Sequence, residues 1–418
     1  MGSLLYNFLV WGFIGLAKFT ALFNAKARAF VNGRKDLFSK LIENFEGVSE
    51  KLIWFHCASL GEFEQGRPIL ERLKADFPRH KILLTFFSPS GYEVRKNYPA
   101  ADFVFYLPYD LPGNAHRFIS ITKPALAIFI KYEFWPNYFS ELKRQNVPII
   151  SVSSIFREEQ IFFKFYGGFM RKSLQSVNHF FVQNQNSAIL LSSLGLTNIS
   201  ISGDTRFDRV FQITQNLQEN FIAKKFKADQ PCWVVGSCWP ADMEMLTNFI
   251  NVNRGKLKFI LAPHEISQEF TDKIIASLEV KSVLYSQTNA DFANASVLII
   301  DNVGLLSQLY RYGDFAYVGG GFGKGLHNIL EAACYGIPIF FGNGNYQKFQ
   351  EAVDLIAQGG AFAVSGFEDL KSNYDSLAGE AGNYVAACNA SRNYVSMKLG
   401  AAEIILAYCK KLLMQHEG

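Results

Sequence analysis

Several protein classes are excluded by what this sequence has little of. The six cysteines, Cys57, Cys232, Cys238, Cys334, Cys388 and Cys409, are scattered and form no CxxC pair. Zinc-ribbon spacing is therefore absent and no disulfide framework suggests itself, so reduced thiols in a cytosolic compartment are expected. Charge is scarce as well: 19% of residues are charged and the formal net charge is +4, far from the dense basic stripe of a nucleic-acid binder. No fixed-period repeat and no low-complexity tract interrupts the chain.

Apolar residues are abundant, at 49% of the chain with 40 Phe. They predict aromatic-rich cores and an apolar surface that meets lipid. A chain of 418 residues exceeds one ordinary core, so two or three domains are expected. The longest apolar run is residues 4–23, LLYNFLVWGFIGLAKFTALF, followed by the basic residues Lys26, Arg28, Arg34 and Lys35. Its length suffices to cross a bilayer. Lys18 breaks a clean span, and no small-residue cleavage site follows, which argues against a signal peptide. The run predicts a membrane anchor, spanning or lying in the interface, with the basic cluster cytoplasmic. A buried N-terminal helix of the globular body is the plain alternative.

Beyond the anchor, short apolar runs alternate with amphipathic stretches. Strands are expected at 52–55, 82–86, 103–106, 126–130, 149–152 and 179–182, then at 233–236, 258–262, 296–300, 315–318 and 338–341. Helical segments between them, such as 63–76, make β-α units and a mostly parallel sheet. So many units exceed one comfortable sheet, which predicts two doubly wound domains with a seam between 203 and 230, and a terminal helix over 386–414 packing on either. In open parallel sheets, ligands bind beyond the carboxyl ends of the strands, so the loops there are where chemistry is sought.

Five such loops stand out. HCASLGE carries Glu62, either a general base or an acid favouring a helix N-terminus. Lys131-Tyr132-Glu133 precedes Trp135-Pro136-Asn137, and Glu133 is a second cleft acid or half of a strand-end ion pair. Ser202–Asp208 carries Arg206, able to carry phosphate charge or to pair with Asp204 or Asp208. Pro263 and His264 could frame a flat base. The fifth, Gly319-Gly320-Gly321-Phe322-Gly323-Lys324-Gly325-Leu326-His327-Asn328-Ile329-Leu330-Glu331, is a glycine-rich loop opening a helix, suited to an anion. It matches neither the P-loop nor the dinucleotide fingerprint. Asn328 and Glu331 are predicted to share one helix face. A glycine-rich turn with a capped helix is the alternative. Cys57 is expected to be a small buried residue rather than a nucleophile.

Together, HxxSxGE, ExWPN, GDxRFD, PHE and GGGxxxxxHNxLE resemble the 3-deoxy-D-manno-octulosonic acid (Kdo) transferase family, in order along nearly the whole chain. The resemblance implies a GT-B α/β fold of two doubly wound Rossmann-like domains with an inter-domain cleft, plus the N-terminal apolar membrane-anchor helix. The expected organisation is a membrane anchor and basic flank over 1–35, an acceptor domain over 36–205, a nucleotide-sugar domain over 206–385 and a C-terminal helix over 386–418. It implies transfer of Kdo from CMP-Kdo to a lipid A precursor in lipopolysaccharide synthesis, by inversion and without a metal or cofactor, at the cytoplasmic face of the inner membrane. On matching positions, Glu62 becomes the base, while Glu133 and Arg206 stabilise the transition state. The donor falls to Pro263, His264, the turn of Val303, Gly304 and Leu305, and Asn328, Ile329, Leu330 and Glu331. Arg206 stands where the family often has Lys, Leu305 where an acid is common, and Leu326 where Gly is usual. The exposed basic residues Lys18, Lys26, Arg28, Arg34 and Lys35 would meet anionic headgroups, and no nucleic acid is expected as a partner. The alternatives are another GT-B transferase using a different nucleotide sugar on a membrane lipid, and a non-catalytic nucleotide-binding membrane protein.

Overall fold

The computed structural model describes residues 2–215, 218–287, 289–323 and 325–415. Met1 of the anchor segment, Lys324 of the glycine-rich loop and residues 416–418 of the terminal segment lie outside the described residues. The chain divides into two compact units, Met1–Arg209 with Leu399–Gly418, and Val210–Lys398.

The first unit begins with three helices, α1 (Gly2–Thr20), α2 (Ala25–Asn32) and α3 (Leu37–Phe45). Seven strands follow: β1 (Leu52–Cys57), β2 (Lys81–Phe86), β3 (Phe103–Tyr106), β4 (Pro124–Ile130), β5 (Ile149–Ser154), β6 (His179–Val182) and β7 (Ile199–Ile201). They form one parallel sheet in the order β3-β2-β1-β4-β5-β6-β7. Central strands of such a sheet are covered on both faces, so they read as continuous apolar runs. In β1, Leu52 and Trp54 enter one core with Leu83 and Phe129, while Ile53, Phe55 and Cys57 enter the other. Each fully buried Leu, Ile or Phe contributes about 1.5–3 kcal/mol.

The second unit repeats the plan with β8 (Cys232–Cys238), β9 (Lys258–Pro263), β10 (Ser282–Leu284), β11 (Val297–Ile299), β12 (Phe315–Val318), β13 (Ile339–Gly342) and β14 (Ala361–Val364). All pairings are parallel, in the order β10-β11-β9-β8-β12-β13-β14. Two doubly wound α/β units of this kind make a GT-B-type fold.

Three edge or near-edge strands, β7, β10 and β14, go beyond the strands read from the sequence. They are short, and β7 has no fully buried residue, so their apolar signal is weak. The terminal helix expected over 386–414 is two helices, Ala381–Ser396 and Ala401–Gln415. The break passes through Gly400 at φ +107, and the Asp208 carboxylate accepts from the N–H groups of Gly400 (2.8 Å) and Ala402 (2.9 Å). The first helix belongs to the second unit and the second to the first. Ile405, Leu406, Cys409 and Leu413 complete the core around Phe55, Phe63 and Leu73.

Arg34 corrects an expectation. Rather than an exposed headgroup ligand, it is a fastener of the first unit. Its guanidinium donates to the carbonyls of Leu107 (2.9 Å), Phe30 (2.9 Å) and Phe87 (2.8 Å). Four aromatic rings, of Phe30, Phe87, Tyr106 and Tyr109, surround it, and burial lowers its pKa to about 10. Arg28, which is exposed, spends its donors on the carbonyls of Ala21 and Leu22 at the end of α1.

Candidate functional site

In each sheet the chain winds outward on one side of the first strand, then returns to the other side. The loops leaving the two strands at that reversal diverge and open a crevice at their carboxyl ends. In the first unit these strands are β1 and β4; in the second, β8 and β12.

After β1 the chain enters helix α4 (Leu60–Asp76) with Ser59 at the N-cap, and Glu62 lies in the first turn. Its Oε2 accepts from the Ala58 N–H, so the capping role is physically realised. Burial, and then the neighbouring charge of Glu133, raise the Glu62 pKa to about 7, while Ala58, Lys131 and Ser59 pull it back. A carboxylate tuned to neutrality is suited to take a proton.

Glu133 follows β4, past Lys131 at φ +66. Its side chain is 12% exposed. The indole Nε1–H of Trp135 donates to Oε2 at 2.9 Å, and the Nε2 of buried His56 lies 3.3 Å from the same oxygen. Arg206, in the first turn of helix Thr205–Gln215, pairs with buried Asp204 through Nε and a terminal nitrogen, each at 2.8 Å. Gln65 of α4 donates to the other Asp204 oxygen at 3.1 Å, so the helix that carries Glu62 also steadies the Arg206 pair. Burial alone would raise the Asp204 pKa, but Arg206 and these donors outweigh it and hold it low. Tyr132, half-buried, feels the charges of both Glu62 and Arg206. Glu62 and Glu133 are thus close enough to repel each other, and Tyr132 lies within range of both Glu62 and Arg206. Cys57 is fully buried and its thiol is pushed up, first by burial, which makes it a core residue.

The second unit's crevice is built differently. Trp239, N-cap of helix Pro240–Val252, stacks on His264 with ring centroids 4.1 Å apart, and His264 lies 4.5 Å from His327. The indole N–H of Trp239 donates to His327 Nε2 at 3.0 Å, which requires that nitrogen to be unprotonated. Burial, with His264 nearby, lowers the His327 pKa to about 4, so the His327 ring is neutral. Pro263 ends β9, and the His264 N–H donates to the Cys238 carbonyl at 3.0 Å.

The glycine-rich loop is fastened by Asp242, which accepts from Gly320 N–H (3.0 Å), Tyr317 OH (2.8 Å) and Trp239 N–H (2.8 Å). A Cβ at Gly319 would lie 2.3 Å from the Ser237 carbonyl oxygen, and one at Gly321 2.2 Å from that of Gly342, so close packing demands both glycines. The helix expected to open at this loop is a single turn, Leu330–Ala333, because 325–328 runs irregularly past β12. Asn328 donates to Glu331 Oε1 and accepts from the Leu330 N–H, both at 3.2 Å, which puts Asn328 and Glu331 on one face. Ile329 and Leu330 are fully buried, so their side chains are core and only their backbone is available to a ligand. Val303 is 88% exposed, Gly304 takes φ +91, and the Leu305 carbonyl is occupied by the turn that follows, accepting from Gln308 and Leu309.

A cavity of about 470 Å³ lies on the other flank of Trp239, lined by Met243, Glu265, Phe270 and Lys273 among others; neither Asn328 nor Glu331 lines it. Among the described residues, no three His, Cys, Asp or Glu side chains gather as a metal site. Trp239 and Asp242 were not singled out from the sequence, and His56 and His327 entered only as the fixed histidines of HxxSxGE and GGGxxxxxHNxLE, without a role. For Trp239 the available signal was Trp239-Pro240, which repeats Trp135-Pro136 at a strand end flanking the reversal of the other sheet.

Residues 33–209 match the family model described as 3-deoxy-D-manno-octulosonic-acid transferase (kdotransferase). The 3-deoxy-D-manno-octulosonic acid transferase of Aquifex aeolicus is 28% identical over 333 residues, 78% of this chain and 85% of the relative. That of Haemophilus influenzae is 26% identical over 339 residues, 78% of this chain and 77% of the relative. In fold, the chain is similar to the UDP-GlcNAc 2-epimerase of Neisseria meningitidis (TM-score 0.62, 14% identity, 87% of this chain and 100% of that one). It is also similar to MurG of Acinetobacter baumannii (TM-score 0.53, 10% identity, 86% and 99%).

Proposed function

The chain belongs to the Kdo transferase family and is a glycosyltransferase, and from that premise we propose that it transfers Kdo from CMP-Kdo to a lipid A precursor. Glu62 takes the proton of an acceptor hydroxyl as its oxygen bonds to the anomeric carbon of Kdo. The bond from that carbon to the phosphate oxygen breaks, and CMP leaves with the electron pair, so one displacement inverts the centre. Arg206 and Glu133 stabilise charge at the reacting centre. Pro263, His264, the 303–305 backbone, and Asn328 through Glu331 take the donor. No metal enters this scheme. The observation that carries it is the placement of Glu62 in the first turn after β1, at the strand reversal of its sheet, largely buried and beside a second acid, Glu133, both of which raise its pKa.

Membrane association rests on α1, which is long and apolar enough to cross a bilayer. Two of its polar side chains are engaged by the rest of the first unit: the Tyr6 hydroxyl donates to Asp110 at 2.7 Å, and Asn7 accepts from Asn137 at 3.0 Å. Asp110, buried and raised to about 6 chiefly by that burial, also caps the helix that follows Trp135. Ile14 is buried, while Leu5, Phe8, Trp11 and Leu16 are at least 60% exposed. A helix fastened along its length to a polar domain fits a place in the interface better than a span. We place that interface at the cytoplasmic face of the inner membrane, where the acceptor's sugar would be presented.

A competing reading, favoured by the Ala58 contact, makes Glu62 a helix cap and nothing more. Glu62→Gln separates the two, because a glutamine oxygen still accepts from Ala58 while the base is lost. CMP release and a Kdo-lipid product are measured with CMP-Kdo, detergent-dispersed lipid A precursor and EDTA. Turnover by wild type alone supports the base and metal independence together. Turnover by both proteins removes the base.

A further inference from the structure

His56 has no part in the reaction set out above, yet it is fully buried and polar beside a reacting carboxylate. It shares a face of β1 with Trp54, and its register partner on β2 is Thr85. Trp54 Nε1–H, which can only donate, gives its proton to Thr85 Oγ1 at 2.8 Å. The Thr85 hydroxyl has one proton of its own. The His56 Nδ1 is 2.9 Å away and the Phe55 carbonyl 3.4 Å, so geometry favours the imidazole. With Nδ1 accepting, the ring proton sits on Nε2, which faces Glu133 Oε2 at 3.3 Å. The result is a directed chain, Trp54 to Thr85 to His56 to Glu133, joined at the same oxygen by Trp135 at 2.9 Å. Both donors converge on Oε2, and Oε1 is left for the site. Rings of Trp54, Phe129 and Trp135 pack around the imidazole at 5.6–6.4 Å between centroids.

We propose that His56 is a positioning residue: relayed from Trp54 through Thr85, it locks one oxygen of Glu133 so that the other is presented to the reacting centre. The inference rests on Glu133 acting in the transition state. A carboxylate on a loop has rotational freedom that two converging donors remove, and a misplacement of about 1 Å at a reacting centre costs on the order of 100-fold. The ionisable groups facing Glu133 are Glu62 from the first turn of α4, Cys57 at the end of β1 and Tyr6 of α1, besides His56 itself. Of these Glu62 matters most, because the Glu133 charge raises its pKa. A Glu133 that drifts away relieves that repulsion.

The test uses the full chain, CMP-Kdo and detergent-dispersed lipid A precursor. His56→Leu removes the donor; His56→Gln keeps an amide N–H near the Nε2 position; Thr85→Val breaks the relay at almost constant volume. His56→Leu is expected to lower kcat by about 30- to 100-fold with the KM for CMP-Kdo within about twofold, the signature of an interaction made in the transition state. His56→Gln recovers much of the loss. Thr85→Val lowers kcat by about fivefold, the scale of one neutral hydrogen bond. The acid limb of kcat/KM moves to lower pH in His56→Leu, which a purely structural role would not cause. An unmoved limb, or a Gln variant no better than Leu, overturns the proposal, as does a loss that follows the folded fraction alone. Should His56→Leu fail to fold, Thr85→Val against Thr85→Ser carries the same comparison. Glu133→Gln is run beside them. If it turns over like wild type, the role of Glu133 has failed; if it is slow while His56→Leu is not, only the positioning has failed.

Discussion

Trp135-Pro136 and Trp239-Pro240 are one device used twice. Each tryptophan is the N-cap of a helix with proline at its first position, at the carboxyl end of a strand that flanks its sheet's reversal. Each indole N–H reaches sideways to a side chain: Trp135 to a carboxylate, Trp239 to an imidazole. The acceptors differ, and so do the crevices. Around Trp135, two carboxylates repel each other beside a buried imidazole, with one acid raised to about 7. Around Trp239, flat rings stack and glycines pack against backbone. One site is organised for moving protons and the other for shape, on a common frame.

Substitutions should separate these crevices. The largest effect is expected from Glu62→Gln, which should lower kcat by about 10³-fold, within the range of general-base catalysis, with an unchanged melting temperature. Arg206→Ala should cost about 100-fold in kcat. It should also destabilise by about 2–3 kcal/mol, because Asp204 is left buried without its cation. Arg206 is itself partly exposed, which keeps that figure at the low end; urea unfolding would measure it. Trp239→Phe should weaken CMP binding by about tenfold, the scale of one lost hydrogen bond and reduced stacking, while kcat at saturating donor holds, read by calorimetry and steady-state kinetics. An equal loss of kcat there would erase the contrast.

The smallest effect is a shift in pH dependence. A base must be deprotonated to act, so kcat/KM should be full above about pH 7 and fall as pH drops through the Glu62 pKa. Glu133→Gln removes a repelling charge, so its residual activity should keep its acid limb to a lower pH, by about one unit. A limb that stays in place would show that burial alone tunes Glu62.

The strands of both sheets were legible because a strand covered on two faces is a continuous apolar run, as LIWF and FILA are. Short β7, β10 and β14 bury too little to leave that mark. The break at Gly400 was hidden because its cause, Asp208, is remote in sequence. Arg34 reads as one more basic residue after an apolar run; only folding brings three carbonyls and four rings around it. Glu62, Glu133 and Arg206 could be given roles from their strand-end loops, whereas His56 stood only as the first position of HxxSxGE, since its meaning comes from Thr85 on the neighbouring strand. Ile329 and Leu330 look like loop residues beside Asn328, but their side chains are core.

The helix Ala401–Gln415 carries a consequence for the order in which the protein is made. It supplies Ile405, Leu406, Cys409 and Leu413 to the first unit's core, and its acid Glu403 and base Lys410 pair with Arg72 and Asp76 of α4. Synthesis delivers that helix only after the whole second unit. During translation the face of α4 behind Glu62 therefore waits, apolar and uncovered, while Val210–Lys398 is threaded out and folds. The second unit is in effect a long insertion, and the nascent first unit exposes apolar core surface until this helix arrives. Until that helix arrives, Glu62 stands on a helix whose far face is uncovered.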